Sequence, residues 1–378
     1  MEETTGAIVQ LLARGKQNLY LDGEDTSLFR TIHKRSTPFA LEHREEYFPS
    51  GFKFGQTCRV DVPKRSDSMG EWLLQITLPQ LTNDVETAVR WSPNIVYSLV
   101  RRVQVYMAGI LVVDNERLWN FVSDSLYVPN HRRYYTRGVH RPVNKEHRII
   151  IPLNMPWKTS RFFPLIATDV PIWLEVEVES LASCVEGGPP PSTKQPTYAA
   201  LLVQNVFMER TERYTFLYKP LSFPITWVDD METVFTSASK QIKVDLSEIN
   251  SPVKALIWVV YRLGDSSFQF IKDVFINDAL CLESQLLTSD TSSFLSSYAG
   301  RWRRNVSSQD DGVHVMSLGA PPEDPLISGG LDFGKAKRPF LLLRVRQHVL
   351  QEGQEYVCKV FAQSSRSIRI QQGQVGVF

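Results

Sequence analysis

The chain has little of what most enzymes and membrane proteins carry. No apolar run approaches the roughly 18 residues a membrane-spanning helix needs, and the opening Met1-Glu2-Glu3 shows no signal-peptide pattern. There are only 4 cysteines, Cys58, Cys184, Cys281 and Cys358, widely separated and with no CxxC. Such residues read as reduced, mostly buried small hydrophobes, and a cytosol-like compartment of maturation is expected. Net charge is nearly absent: 42 basic and 41 acidic residues leave +1, which argues against a protein whose main task is coating nucleic acid.

Catalytic signatures are missing too. There is no GxxxxGK[ST], GxGxxG, HExxH or GxSxG. The 7 histidines include no HxH or HxxxH pair; His131, His140 and His147 share one region, where surface histidines in a basic loop explain them better than zinc ligands. The pairs Asp229-Asp230 and Asp310-Asp311 read as turn or surface carboxylates, because adjacent strand residues face opposite ways. The sequon at Asn305 is of a kind that arises often by chance. No enzyme, no cofactor and no metal is expected.

What the chain does have is strands. In Arg161–Val178, the residues Ile172, Leu174, Val176 and Val178 alternate with Glu175 and Glu177, as a strand with one dry and one wet face requires. Pro339–Arg346 alternates likewise, and matching Ile172 to Leu341 gives a separation of 169 residues. Four more blocks recur in the same order. Arg59–Val62 matches Lys243–Leu246, and Trp72–Leu78 matches Ala255–Tyr261. Val103–Val105 matches Val274–Ile276, and Ile151–Pro156 matches Met316–Pro321. A period this long means a duplicated domain rather than a solenoid. Each copy has room for about eight strands at sandwich spacing. Asn115–Tyr127, with Leu118, Phe121, Val122 and Leu126 at helical spacing, predicts a helix in a loop of the first copy. Gly187–Pro196 reads as an exposed loop, and the junction falls near Thr211–Pro220.

The expected organisation is an N-terminal arm (1–26), a first sandwich (27–213) and a second (214–378). Ile8, Leu11 and Leu12 mark one face of a short amphipathic segment in the arm. It packs either on its own domain or on a neighbouring subunit or membrane-facing layer, since such a helix is unstable alone. Arg132, Arg133, Tyr134, Tyr135 and Arg137 form a basic and aromatic cluster, and Arg301, Trp302 and Arg303 form its counterpart in the second copy. A shared subunit contact fits both, Arg and Tyr being favoured interface anchors. A solvated loop and a single-strand nucleic-acid grip are the alternatives.

Several stretches together resemble the double jelly-roll major capsid proteins of nucleocytoplasmic large DNA viruses. They are Gly15–Leu21, Leu28–Ala40, Pro164–Ala167, Glu209–Arg213 and the closing Ser364–Gly376. The resemblance implies an all-β fold of two tandem eight-stranded jelly-roll β-sandwiches with short loop helices. It implies a homotrimer, a pseudo-hexagonal capsomer tiling an icosahedral shell beside neighbouring capsomers and minor capsid proteins, and no direct nucleic-acid contact. It also implies a place in the virion after assembly in the host cytoplasm. A minor capsid protein of the same fold is the first alternative. A lectin-like sandwich, with Trp157 or Trp302 stacking on sugars, is the second.

Overall fold

In the computed structural model the described residues are 39–377 apart from 85, 128–140, 156, 158–161, 191, 240, 265–267, 269, 272–276, 283–284, 292–311, 319–329, 337 and 344–349. The chain is a double jelly roll. The first sandwich uses β1 (Phe39–Tyr47), β2 (Thr57–Asp61), β3 (Ser68–Leu78) and β4 (Val100–Met107). It continues with β5 (Ile110–Glu116), β6 (His147–Pro152), β7 (Ile172–Val178) and β8 (Tyr198–Met208). The second uses β9 (Leu221–Thr236), β10 (Ile242–Asp245), β11 (Pro252–Arg262) and β12 (Asn277–Leu282). Then come β13 (Gln285–Thr291), β14 (Val313–Ser317), β15 (Phe340–Leu343) and β16 (Glu355–Gln371), and β17 (Gln374–Val377) closes the chain as a hairpin on β16. Three helices matter below: α1 (Ile95–Leu99), α2 (Arg117–Tyr127) and α3 (Arg210–Tyr218).

Both sandwiches have the same strand order, all antiparallel. The first pairs β1-β8-β3-β6 in one sheet and β2-β7-β4-β5 in the other; the second pairs β9-β16-β11-β14 and β10-β15-β12-β13. Each strand of the second copy therefore carries the number of its counterpart plus eight. Alternation sets the faces where one side is wet: along β7 Ile172, Leu174, Val176 and Val178 are buried and the residues between them are partly exposed. In β15 Leu341 and Leu343 are buried. The expected loop helix is α2, and Gly187–Pro196 connects the strands before and after it.

The internal repeat holds, but its register differs in three of the five blocks. Val60 lies opposite Leu174 and Val244 opposite Leu341, so Leu174, not Ile172, is the counterpart of Leu341. A two-residue slip leaves every side chain on the same face, so alternation alone cannot detect it. Ile151 and Met316 do correspond, and they lie opposite Leu74 and Leu256. The match of Trp72 to Ala255 is thus one residue out, which exchanges faces. Its cause is that Val253–Val260 is buried throughout and offers no alternation to read. Residues 274–276 lie outside the described residues; the counterpart of β4 begins at Asn277, with Leu280 opposite Leu341 as Val105 is opposite Leu174.

The unbroken burial of β11 has a structural reason. Its residues Leu256, Trp258 and Val260 join Met316, Cys358, Val360 and Ala362 in the core of the second sandwich. Ile257 and Val259, with Val313, Val315, Phe361 and Ile368, face the other way and are continuous with the core of the first sandwich. One sheet therefore has two dry faces, and each fully buried aliphatic or aromatic side chain there contributes roughly 1.5–3 kcal/mol by burial.

The second core also encloses a histidine. His314 on β14 is 6% exposed, stacks on Trp258 at 5.9 Å, and neither ring nitrogen has a hydrogen-bond partner among the described residues. Burial lowers its pKa from the ordinary 6.5 to about 4. The unfolded chain then binds a proton that the folded chain refuses, so stability is intact above about pH 6.5 and falls as pH drops toward 4. We expect a loss of about 3 kcal/mol over that window, measured by urea denaturation at each pH. His314→Phe is expected to flatten this part of the profile, and an unchanged profile would contradict the assignment.

Candidate functional site

For a protein with this fold the site is a surface or a seam, and the described residues build a seam between the sandwiches. It starts where β5 runs directly into α2. The apolar residues of α2 recur at helical spacing, so Trp119, Phe121, Val122 and Leu126 are all buried. Trp119 meets Phe361 of β16 at 5.2 Å between ring centroids. Phe121 stacks on Phe268 at 4.9 Å and takes Phe270 edge-on at 5.5 Å. Tyr97 of α1 packs against Phe121 and donates its hydroxyl proton to Asp124. At the end of α2 the Tyr127 hydroxyl donates to Gln363 at 2.7 Å. The helix thus fills a slot that aromatic side chains from both sandwiches line.

Charge crosses the same seam. Lys359 of β16, with 7% side-chain exposure, places Nζ 2.6 Å from Glu116 of β5 and 2.8 Å from Asp230 of β9. Burial pulls its pKa down, but hydrogen bonds and charge from Asp230 and Glu116 outweigh this and leave it raised. The stabilisation is therefore fully present below the ordinary lysine value and is lost only as pH rises through the higher folded one. Arg102 forks onto Asp114 at 2.6 and 2.7 Å beside it. A cleft of about 310 Å³ opens next to the ammonium, lined in part by Arg117, Glu232 and Tyr261. Burial pushes the Tyr261 phenol up to about 12, so it stays protonated there.

One further tie joins the halves, and a second contact anchors the junction helix to the first sandwich. The β16–β17 turn, Gln372-Gly373, has φ of 51° and 79°, and the Gly373 carbonyl accepts from Asp169 N at 3.0 Å. A Cβ on Gly373 would lie 3.0 Å from the Asp169 carboxylate, so both the turn and the close approach call for glycine. In the junction helix α3, Arg213 pairs at 2.9 Å with Asp67, which also accepts from Met208 N.

Among the described residues no group of three or more His, Cys, Asp or Glu side chains converges to hold a metal. Cys58, Cys184 and Cys358 are buried, and burial pushes the Cys184 thiol up to about 12, leaving it unreactive. Asp229 accepts from Trp227 Nε1 and pairs with Arg366 at 3.5 Å while Asp230 holds Lys359, so the two carboxylates serve separate ion pairs on opposite faces of β9. Among the described residues no helix is long and apolar enough to cross a membrane.

The sequence candidates do not gather here. Arg132, Arg133, Tyr134, Tyr135 and Arg137, the second cluster Arg301, Trp302 and Arg303, and Ile8, Leu11 and Leu12 lie outside the described residues, as do Trp302's neighbour Asn305 and the pair Asp310-Asp311. Trp157 is described and is no sugar platform: it is 1% exposed, donates Nε1–H to the Gly70 carbonyl at 2.9 Å and packs edge-on against Trp72. Sequence reading missed Glu116 and Lys359, and took Asp230, which pairs with Lys359, for a turn or surface carboxylate. A lone lysine inside Tyr356–Ala362, otherwise apolar, was the available signal: a charge in such a run needs a partner.

Comparison with known proteins places these features. Residues 27–200 match the family described as the major capsid protein N-terminus. Capsid protein 1 of Acanthamoeba polyphaga mimivirus is 24% identical over 293 residues, covering 69% of this chain and 49% of that protein. The major capsid protein of Paramecium bursaria Chlorella virus 1 is 26% identical over 271 residues, covering 67% and 60%. The chain thus matches about half the length of the first relative and three fifths of the second. Among solved structures, PBCV-1 VP54 superimposes with a TM-score of 0.77 at 18% identity, covering 93% of this chain and 99% of that one. The Faustovirus major capsid protein gives 0.75 at 9%, covering 92% and 93%.

The seam triad makes a direct prediction. Glu116→Gln with Asp230→Asn strands a buried ammonium and is expected to cost about 3–5 kcal/mol in urea denaturation. Adding Lys359→Met should recover most of that loss. A double variant as stable as the parent would remove the triad from the account.

Proposed function

We propose that this chain, a relative of the double jelly-roll major capsid proteins of nucleocytoplasmic large DNA viruses, is a structural shell subunit that forms homotrimeric capsomers. Three chains present six similar lobes, and such a pseudo-hexagonal block tiles an icosahedral surface beside neighbouring capsomers and minor capsid proteins. The observation that carries this reading is the seam. It makes each chain a rigid pair of lobes, which is the unit that a six-lobed ring built from three chains requires.

The domain reading goes with it: an arm at 1–26, lobes at 27–213 and 214–378, and α3 at the junction. The sheet pairing and the Arg213–Asp67 anchor of α3 support that division. The arm with Ile8, Leu11 and Leu12 is assigned to neighbouring subunits or to an inner membrane-facing layer. The clusters at Arg132–Arg137 and Arg301–Arg303 are assigned to subunit contacts. The protein works in the virion after assembly in the host cytoplasm, without catalysis, cofactor or direct nucleic-acid contact. A minor shell role on the same plan is the variant reading.

The test is electron microscopy of the purified full chain together with its native mass. Three-chain particles with a hexagonal outline that persist on dilution are expected. A monomer that binds a glycan array saturably would overturn the proposal and favour the lectin-like alternative.

A further inference from the structure

The cleft beside Lys359 is built by both lobes. Arg117 and Leu118, the first residues of α2, line it from the first lobe, and Glu232 of β9 and Tyr261 of β11 line it from the second. Phe268 and Phe270 add to its apolar lining, and Phe270 meets the Tyr261 ring at 6.4 Å. Phe268 has φ of 58°, a left-handed conformation that bulky residues rarely take, and stacking on Phe121 at 4.9 Å holds its ring in place. This part of the wall is therefore set by packing. The volume of about 310 Å³ stands at the lower end of the range for small-ligand sites.

Most charges that line the cleft are matched by a neighbour. Arg101 holds Glu177 at 3.1 Å, Arg102 holds Asp114, and Lys359 holds Glu116. Two are not. The Arg117 guanidinium and the Glu232 carboxylate make no hydrogen bond or ion pair with the side chains of other described residues, and they do not pair with each other. Arg117 is also poorly placed for stability, because the first turn of a helix disfavours a cation. The Tyr261 phenol, which stays protonated, has a proton to donate and no acceptor among the described residues. One unmatched cation from the first lobe and one unmatched anion from the second thus share a cleft with an apolar lining.

We infer that this cleft binds a free α-amino acid with an apolar or aromatic side chain. Arg117 and Tyr261 take its carboxylate, Glu232 takes its ammonium, and its side chain lies against Leu118, Phe268 and Phe270. A molecule with only one of the two charges leaves a protein charge desolvated and unpaired, so both are needed for tight binding. Because Arg117 and Glu232 belong to different lobes, the ligand ties the lobes together and stabilises the folded chain by mass action. The inference rests on the seam and is independent of the trimer reading.

The experiment follows the melting temperature of the dilute full chain as L-phenylalanine is added. A rise that saturates is expected. 3-Phenylpropionate lacks the ammonium, phenethylamine lacks the carboxylate and glycine lacks the side chain. Each is expected to need at least about tenfold higher concentration for the same rise. Arg117→Gln and Glu232→Gln, made separately, are expected to melt as the parent without ligand and to weaken the L-phenylalanine response by a similar factor. Should one variant fold poorly, the other and the analogue series decide. No saturable rise with L-phenylalanine would overturn the inference. So would an equal response to the single-charge analogues, or an unaltered response in either well-folded variant.

Discussion

A sheet with two dry faces governs this molecule. The strands β9, β16, β11 and β14 carry one set of side chains into the core of their own sandwich and the other into the neighbouring sandwich. Once both faces are apolar, the second lobe cannot stand in water without the first, because removal would expose Phe361, Ile257, Val259 and Val315 together. The ion pairs at Lys359 and the hydrogen bond from Tyr127 to Gln363 then fix where the lobes sit, since a buried ammonium tolerates only an arrangement that pairs it. The apolar contact supplies the attraction, and the polar contacts supply the register.

In the proposed role as a shell subunit this construction acts through its geometry. Shell subunits must repeat a contact many times at a fixed angle, and a hinge between lobes would spread that angle. The seam resists hinging at two separated places, the α2 slot and the Gly373–Asp169 bridge.

Much of this was legible in the sequence, and the illegible parts have physical causes. Strands with one wet face, such as β7, announce themselves by alternation, and the order of matching blocks reveals the duplication. The helix α2 is visible because its apolar residues keep a helical period. The register across the repeat failed at β11 because that strand is buried on both sides and reads as one apolar run. The seam escaped for a related reason: Lys359 looks like an isolated charge until Glu116, 243 residues away in sequence, is brought beside it. Short basic and aromatic clusters attract attention in a sequence, whereas the contact that holds this chain together is made of ordinary residues placed by the fold.

The central claim is that the two sandwiches form one cooperative body through the shared sheet. Differential scanning calorimetry of the dilute chain tests it most directly. The account predicts a single transition whose calorimetric and van't Hoff enthalpies agree. Two separable transitions, one for each sandwich, would contradict it and show that the lobes are stable without their seam.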